Sequence, residues 1–115
     1  MIKGIGIDIV DRIRFENVSD RPRIFKELFT EKELQEGYAF HDPSHWAGCF
    51  ALKEAVMKAF CVGLHMGSYW HDIEILHDGI TVSGIFNPCR DRKATVRASQ
   101  TRSRQYALGL VLLQE

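Results

Sequence analysis

Asp42-Pro43-Ser44-His45-Trp46-Ala47-Gly48-Cys49-Phe50-Ala51-Leu52-Lys53-Glu54-Ala55-Val56-Met57-Lys58-Ala59-Phe60 is the stretch from which the fold is read. Asp42 suits a helix N-cap, because its carboxylate can accept from a free N–H of the first turn. Pro43 suits that turn, because it lacks an N–H that would go unpaired. Trp46, Cys49, Phe50, Met57 and Phe60 recur at helical spacing and predict a core stripe. Ala47, Ala51 and Ala55 form a row of small residues on which another backbone can lie closely. Gly63 and Gly67 are expected to end the helix.

Upstream, Ile2 to Val10 (with Gly4-Ile5-Gly6-Ile7-Asp8-Ile9-Val10 at its centre) is β-branched and glycine-punctuated, and reads as a buried first strand. From Asp11 to about Val18 the pattern turns helical, with Ile13 and Val18 inward. A short helix is expected through Ile24, Phe25 and Leu28. Thr30-Glu31-Lys32-Glu33 fits a capping box, and its helix runs to about Tyr38, with Gly37 near its end. Downstream, Ile73 to Leu76 and Ile80 to Phe86 read as strands joined by a turn at His77-Asp78-Gly79. Asn87-Pro88 breaks the chain, and a short helix covers Cys89 to Ala94. Thr95 to Thr101 and Gln105 to Leu113 read as a final strand pair with a turn near Arg102-Ser103. The expected fold is α+β, a mainly antiparallel sheet packed against a long central helix, with residues 1–115 as one domain.

The 15 Lys and Arg residues balance 15 Asp and Glu residues, which argues against a general nucleic-acid binder. Arginines nonetheless cluster at Arg12, Arg14, Arg21 and Arg23, and again at Arg90, Arg92, Arg97, Arg102 and Arg104. These are either solvated faces or two anion sites. Cys49, Cys61 and Cys89 show no CxxC spacing, so a reducing cytoplasm is expected rather than a disulfide framework. No apolar run spans a membrane, and the Asp within the first apolar stretch speaks against a signal peptide. His41, His45, His65, His71 and His77 lack metal-ligand spacing. Cys61 lacks an evident base.

Two groups carry chemistry. Asp8, in an apolar run, is either an N-cap for the segment that follows or a ligand for a cation. Glu54 and Lys58 share a helix face, either as an exposed ion pair or as part of a site. In the second reading Glu54 and Asp8 offer carboxylate oxygens to Mg²⁺, and Lys58 reaches the same phosphates.

Taken together, GIGIDIV near the N-terminus, FTEKEL after a basic segment, FALKEAVMKAF some residues later and WHDIEIL downstream resemble the holo-acyl-carrier-protein synthases, the small single-domain branch of the 4′-phosphopantetheinyl transferases. The order and spacing match over nearly the whole chain. The resemblance implies a homotrimer with active sites between subunits. It further implies Mg²⁺ on Asp8 and Glu54, and the coenzyme A diphosphate on that metal and on Lys58. Gly63, Ser99, Thr101 and Arg102 stand where the family contacts the cofactor, and Arg14 and Arg21 where it docks the carrier protein. The implied reaction moves phosphopantetheine from coenzyme A to a serine of an acyl-carrier protein in fatty acid biosynthesis. Asp8, Glu54 and Lys58 are then the catalytic set, and the general base is left open between Glu54 and a water on the metal. Three departures stand out. Arg102 occupies the family's histidine position, Cys61-Val62-Gly63 replaces a Gly-Thr-Gly, and Phe86-Asn87-Pro88-Cys89 replaces a Gly-Lys-Pro turn. They leave open a divergent, non-catalytic protein that binds carrier protein or coenzyme A.

Overall fold

The computed structural model describes residues 1–17, 20–61, 70–84 and 95–115. Strand β1 (Ile2–Asp11) leads into a 3-10 turn (Arg12–Phe15), then helices α1 (Pro22–Leu28), α2 (Glu31–Phe40) and α3 (Pro43–Ala59). A second 3-10 turn (Trp70–Asp72) precedes strands β2 (Ile73–Leu76), β3 (Gly79–Val82), β4 (Thr95–Arg102) and β5 (Tyr106–Gln114). The strands form two antiparallel sheets, a three-stranded one ordered β1-β5-β4 and the hairpin β2-β3. The α+β expectation holds.

Helix α3 lies on the three-stranded sheet, and the small-residue row explains how closely. A Cβ on Gly6 would fall 1.8 Å from the Ala55 carbonyl oxygen, and one on Gly4 2.1 Å from that of Ala59. A Cβ on Gly109 of β5 would lie 2.8 Å from the Ala51 carbonyl carbon. Backbone therefore meets backbone along α3, with no side chain between. The opposite flank of α3 buries an aromatic core. Trp46 packs 5.0 Å from Phe29 and 5.1 Å from Phe25, and Phe50 packs 5.3 Å from Phe15, centroid to centroid.

The helix starts follow the side-chain chemistry. Asp42 accepts from Ser44 N–H at 2.9 Å. Thr30 and Glu33 complete the capping box, with Glu33 Oε1 accepting from Thr30 N–H at 2.7 Å. Gly37 does not end α2. It lies inside the helix because a Cβ there would strike the Trp46 ring at 2.2 Å, and the helix closes at His41 in the left-handed region. Helix α3 closes before Gly63, at Ala59; Gly63 and Gly67 lie outside the described residues.

Three further expectations are corrected. The segment after β1 is a single 3-10 turn rather than a helix from Asp11 to Val18, and Ile13 points outward while Phe15 fills the core. Arg12 N–H bonds to Gln105 O at 2.8 Å, which holds the turn against the β4–β5 connection and sets this rotation. Val18 lies outside the described residues. Strand β3 ends at Val82, where Ser83 N–H turns to donate to Asp72 O at 2.8 Å, and the expected end of the strand at Phe86 lies outside the described residues. The segment from Cys89 to Ala94 lies outside the described residues. Finally, β1 is buried on one face only. Gly6 and Val10 are covered by α3, whereas Ile5, Ile7 and Ile9 on the other face are more than half exposed in the single chain.

Candidate active site

Strand alternation puts Gly4, Gly6, Asp8 and Val10 on the α3 side of β1. The two glycines seat the C-terminal half of α3 against the strand, and Asp8 follows in the same row. Lys58 Nζ donates to Asp8 Oδ1 at 2.9 Å and to the Ile7 carbonyl at 3.0 Å. Asp8 is largely covered, with its side chain 17% exposed, while Lys58 is 52% exposed. Glu54 lies within the field of both. Burial and the Asp8 charge push its carboxyl above the ordinary 4.5, against the opposing pull of Lys58 and Arg14. Three residues from two elements thus converge.

This geometry removes the capping alternative for Asp8. The N-cap of the 3-10 turn is Asp11, which accepts from Ile13 N–H at 3.2 Å, so Asp8 has no capping duty. Lys58 is paired with Asp8 on the strand, not with Glu54 one helical turn away. The Asp8 charge raises the cost of ionising Glu54, a repulsion that a divalent ion between them would relieve. Hard oxygen donors of this number suit Mg²⁺, which commonly takes one or two carboxylates and leaves its other positions to phosphate and water. No cluster of three or more His, Cys, Asp or Glu side chains that could hold a metal occurs among the described residues.

Arg14 lies with its guanidinium carbon 5.1 Å from the centre of the Phe50 ring, one helical turn before Glu54. Phe50 is backed in turn by Trp70 at 5.1 Å. Arg21 spends its guanidinium on the carbonyls of Arg14 (3.0 Å) and Glu16 (3.1 Å), bolting the 3-10 turn to α1. The remaining expected residues do not join the acid pair within one chain. Arg102 lies on the α3 side of β4, where a Cβ on Gly48 would fall 3.3 Å from its guanidinium, and it donates to Gln100 Oε1 at 3.3 Å. Its charge, after burial, helps hold the His45 imidazole below 6.5. Gly48 and Glu54 are about 120° apart around a helix of 3.6 residues per turn, so Arg102 and Glu54 occupy opposite flanks of α3. Ser99 and Thr101 alternate to the other face of the sheet, opposite Leu110 and Leu108 in register.

Sequence reading missed two participants. The Ile7 carbonyl holds Lys58, and no residue type announces a backbone acceptor. Lys53 is fully buried beside Glu33, Nζ to Oε1 2.6 Å, and also donates to Trp70 O at 2.9 Å. Glu33 Oε2 accepts from Ile75 N–H at 2.9 Å, so this capping residue ties α2, α3 and β2 together. Burial drives the Lys53 amine below 10.5, and Glu33 opposes it. The signal was available: Lys53 stands four residues from Cys49 and from Met57, inside the apolar stripe. Burial also pushes the Cys49 thiol up to about 12, which leaves it inert.

The model of the family described as ACPS, 4′-phosphopantetheinyl transferase superfamily, matches residues 4–111. A holo-[acyl-carrier-protein] synthase from Exiguobacterium sibiricum is 34% identical over 119 aligned positions, covering 100% of this chain and 91% of that protein. The chain belongs to the 4′-phosphopantetheinyl transferase superfamily. Within that superfamily it groups with the holo-acyl-carrier-protein synthases. The synthase of Geobacter metallireducens is 46% identical over 84 residues, a match that spans 70% of this chain and 66% of the relative's length. Among solved structures, a holo-(acyl-carrier-protein) synthase from Bacillus anthracis in complex with CoA (3′,5′-ADP) superposes with a TM-score of 0.79. It is 29% identical and covers 98% of this chain and 96% of its own. The shared fold accounts for the α3-on-sheet layout. No helix among the described residues is long and apolar enough to cross a membrane.

Proposed function

We propose that this protein transfers 4′-phosphopantetheine from coenzyme A to a serine hydroxyl of an apo-acyl-carrier protein, releasing adenosine 3′,5′-bisphosphate, in a Mg²⁺-dependent reaction of fatty acid biosynthesis in the cytoplasm. The observation that carries the reading is the convergence of Asp8, Glu54 and Lys58, with Lys58 Nζ 2.9 Å from Asp8 Oδ1. Family membership and a coenzyme-bound relative of matching fold support it.

Asp8 and Glu54 would hold the ion, which would supply neutralising charge to the diphosphate. Lys58, on its four-carbon stem, places a second positive charge on the same diphosphate. The carrier serine Oγ attacks the β-phosphorus. The Oγ–P bond forms as the bond from that phosphorus to the bridging oxygen breaks, and the bisphosphate leaves with the electron pair. The serine proton passes to a base at the site, for which the candidates are Glu54 and a water held beside it. Positioning and electrostatics supply most of such a transfer.

Arg14 and Arg21 receive the acidic carrier, Arg14 directly and Arg21 also by stiffening the turn that presents Arg14. A homotrimer is supported by the uncovered sheet face. Ile5, Ile7 and Ile9 are 58%, 54% and 60% exposed and continue across the sheet into Leu112, Leu110 and Leu108 in register. A trimer would also bring Ser99, Thr101 and Arg102 of one chain toward the acid pair of another.

Incubation with apo-carrier protein, coenzyme A and Mg²⁺ tests the proposal. The carrier gains the mass of one phosphopantetheine group, and Glu54→Ala abolishes the gain while retaining its fold by circular dichroism. A second reading, a carrier-binding protein without turnover, is favoured by Arg102 in the histidine position. It predicts carrier binding lost in Arg14→Glu with no mass gain on any carrier, and efficient transfer eliminates it.

A further inference from the structure

Lys58 sits in a place that its role on a diphosphate does not require. Its ammonium makes two short contacts, 2.9 Å to Asp8 Oδ1 and 3.0 Å to the Ile7 carbonyl. Both acceptors belong to β1, at the edge of the acid pair. We infer that Lys58 is a displaceable resident cation of the Asp8–Glu54 pair, ousted from Asp8 by an arriving divalent ion and released toward phosphate.

The inference rests on the proposed metal role of Asp8 and Glu54, and it adds an order to events there. An ammonium bonded to Asp8 Oδ1 occupies the oxygen that a cation would use, and two cations a few ångströms apart repel. A divalent ion on the same carboxylate therefore weakens the Lys58 contact. The side chain is free to leave, since it is 52% exposed and its flexible stem needs only rotamer changes to swing outward. Once outward, its three donors face the solvent side of the site, where a diphosphate would bind. The two steps favour each other: metal frees the lysine for phosphate, and phosphate holds the lysine away from the metal's ligand. Such coupling is reciprocal by linkage. It also gives the acid pair a counter-charge at every stage.

The signature is opposite in sign to that of an ordinary binding residue. Removing Lys58 tightens metal binding in the absence of coenzyme A and weakens coenzyme A binding. Mn²⁺ affinity is measured by electron paramagnetic resonance of the free ion, without coenzyme A, for the wild type, Lys58→Met, Lys58→Gln and Asp8→Asn. Both Lys58 variants are expected to bind Mn²⁺ roughly three- to tenfold more tightly, the size of losing one partly screened charge contact. In parallel, lysine Nζ NMR follows the Lys58 ammonium as Mg²⁺ is added. Its coupling to the Asp8 carboxylate is expected to vanish on saturation, which a merely neighbouring charge would not require.

Unchanged or weaker Mn²⁺ binding in both Lys58 variants overturns the inference, as does a Lys58–Asp8 coupling that persists in saturating Mg²⁺. In those cases the metal reading survives provided Asp8→Asn loses Mn²⁺ binding. If Asp8→Asn binds as tightly as the wild type, or the wild type itself does not bind, the metal reading and this inference fall together.

Discussion

Replacing Gly6 with alanine tests whether the site is spaced by main chain alone. The added Cβ would stand 1.8 Å from the Ala55 carbonyl oxygen, 2.7 Å from its carbon and 2.8 Å from the Ala59 nitrogen. All three are helix backbone, so no rotamer change relieves the clash. Opening the shortest contact to 3.0 Å, the floor for real Cβ atoms, takes about 1.2 Å of movement of α3 away from β1. Overpacking of a rigid contact costs roughly 3 kcal/mol, the top of the usual range. For a chain of this length that lowers Tm by about 10 °C. The same displacement lengthens the Lys58–Ile7 and Lys58–Asp8 hydrogen bonds and draws Glu54 from Asp8, so Mn²⁺ affinity should fall along with stability. Differential scanning calorimetry at matched protein concentration and Mn²⁺ titration measure the two. A Gly6→Ala protein that melts within about 2 °C of the wild type with unchanged metal affinity would refute the account of α3 as seated directly on the strand.

Four other outcomes are expected. The raised Glu54 pKa means the folded state holds a proton that the unfolded chain has released, so stability should fall as pH rises from 4.5 through the folded-state value. Urea denaturation of wild type and Glu54→Gln between pH 4 and 8 checks this, the variant lacking that slope and gaining relative stability at neutral pH. Lys53→Met leaves Glu33 charged and buried without its partner, and should cost about 3–5 kcal/mol in the same assay; a loss below about 1 kcal/mol would show that the pair does not anchor α3. Cys61 adopts a left-handed conformation, φ 58°, where the family resemblance places a glycine. Cys61→Gly should therefore stabilise the protein by about 0.5–1 kcal/mol by thermal melting. If the proposed trimer forms through the uncovered sheet face, Ile7→Lys should yield monomers in sedimentation equilibrium where the wild type sediments as a trimer, and an unchanged mass for the variant would refute that contact.

The parts of the fold that were legible in the sequence are those governed by neighbours in the chain. The Thr30–Glu33 box, the Asp42-Pro43 start and the alanine row each depend on spacing within one element, and each stands where it was expected. The errors lie where a distant partner decides. Ile13 is as apolar as a core residue, yet Phe15 goes inside because Arg12 N–H is fixed to Gln105 O. Gly37 resembles a helix stop but serves as a seat for Trp46. The extent of β3 is set by Asp72, which no local pattern near Phe86 reveals. In the site, Asp8 and Glu54 were singled out through the family resemblance, while spacing alone favoured a cap and a surface ion pair. What no residue pattern supplied was the Ile7 carbonyl and the direction in which Lys58 points.

The buried amine of Lys53 and the site carboxyl of Glu54 are consecutive residues with opposite destinations. One residue turns a helix by about 100°, so inserting or deleting a single position upstream within α3 would carry the amine out of its buried berth and swing the acid away from Asp8 in the same stroke. Relatives of different length should therefore accommodate their indels beyond Ala59 or before Pro43, and a screen of single-codon insertions across this gene should leave a silent gap over the helix. The dipeptide acts as a reading-frame check written into the helix.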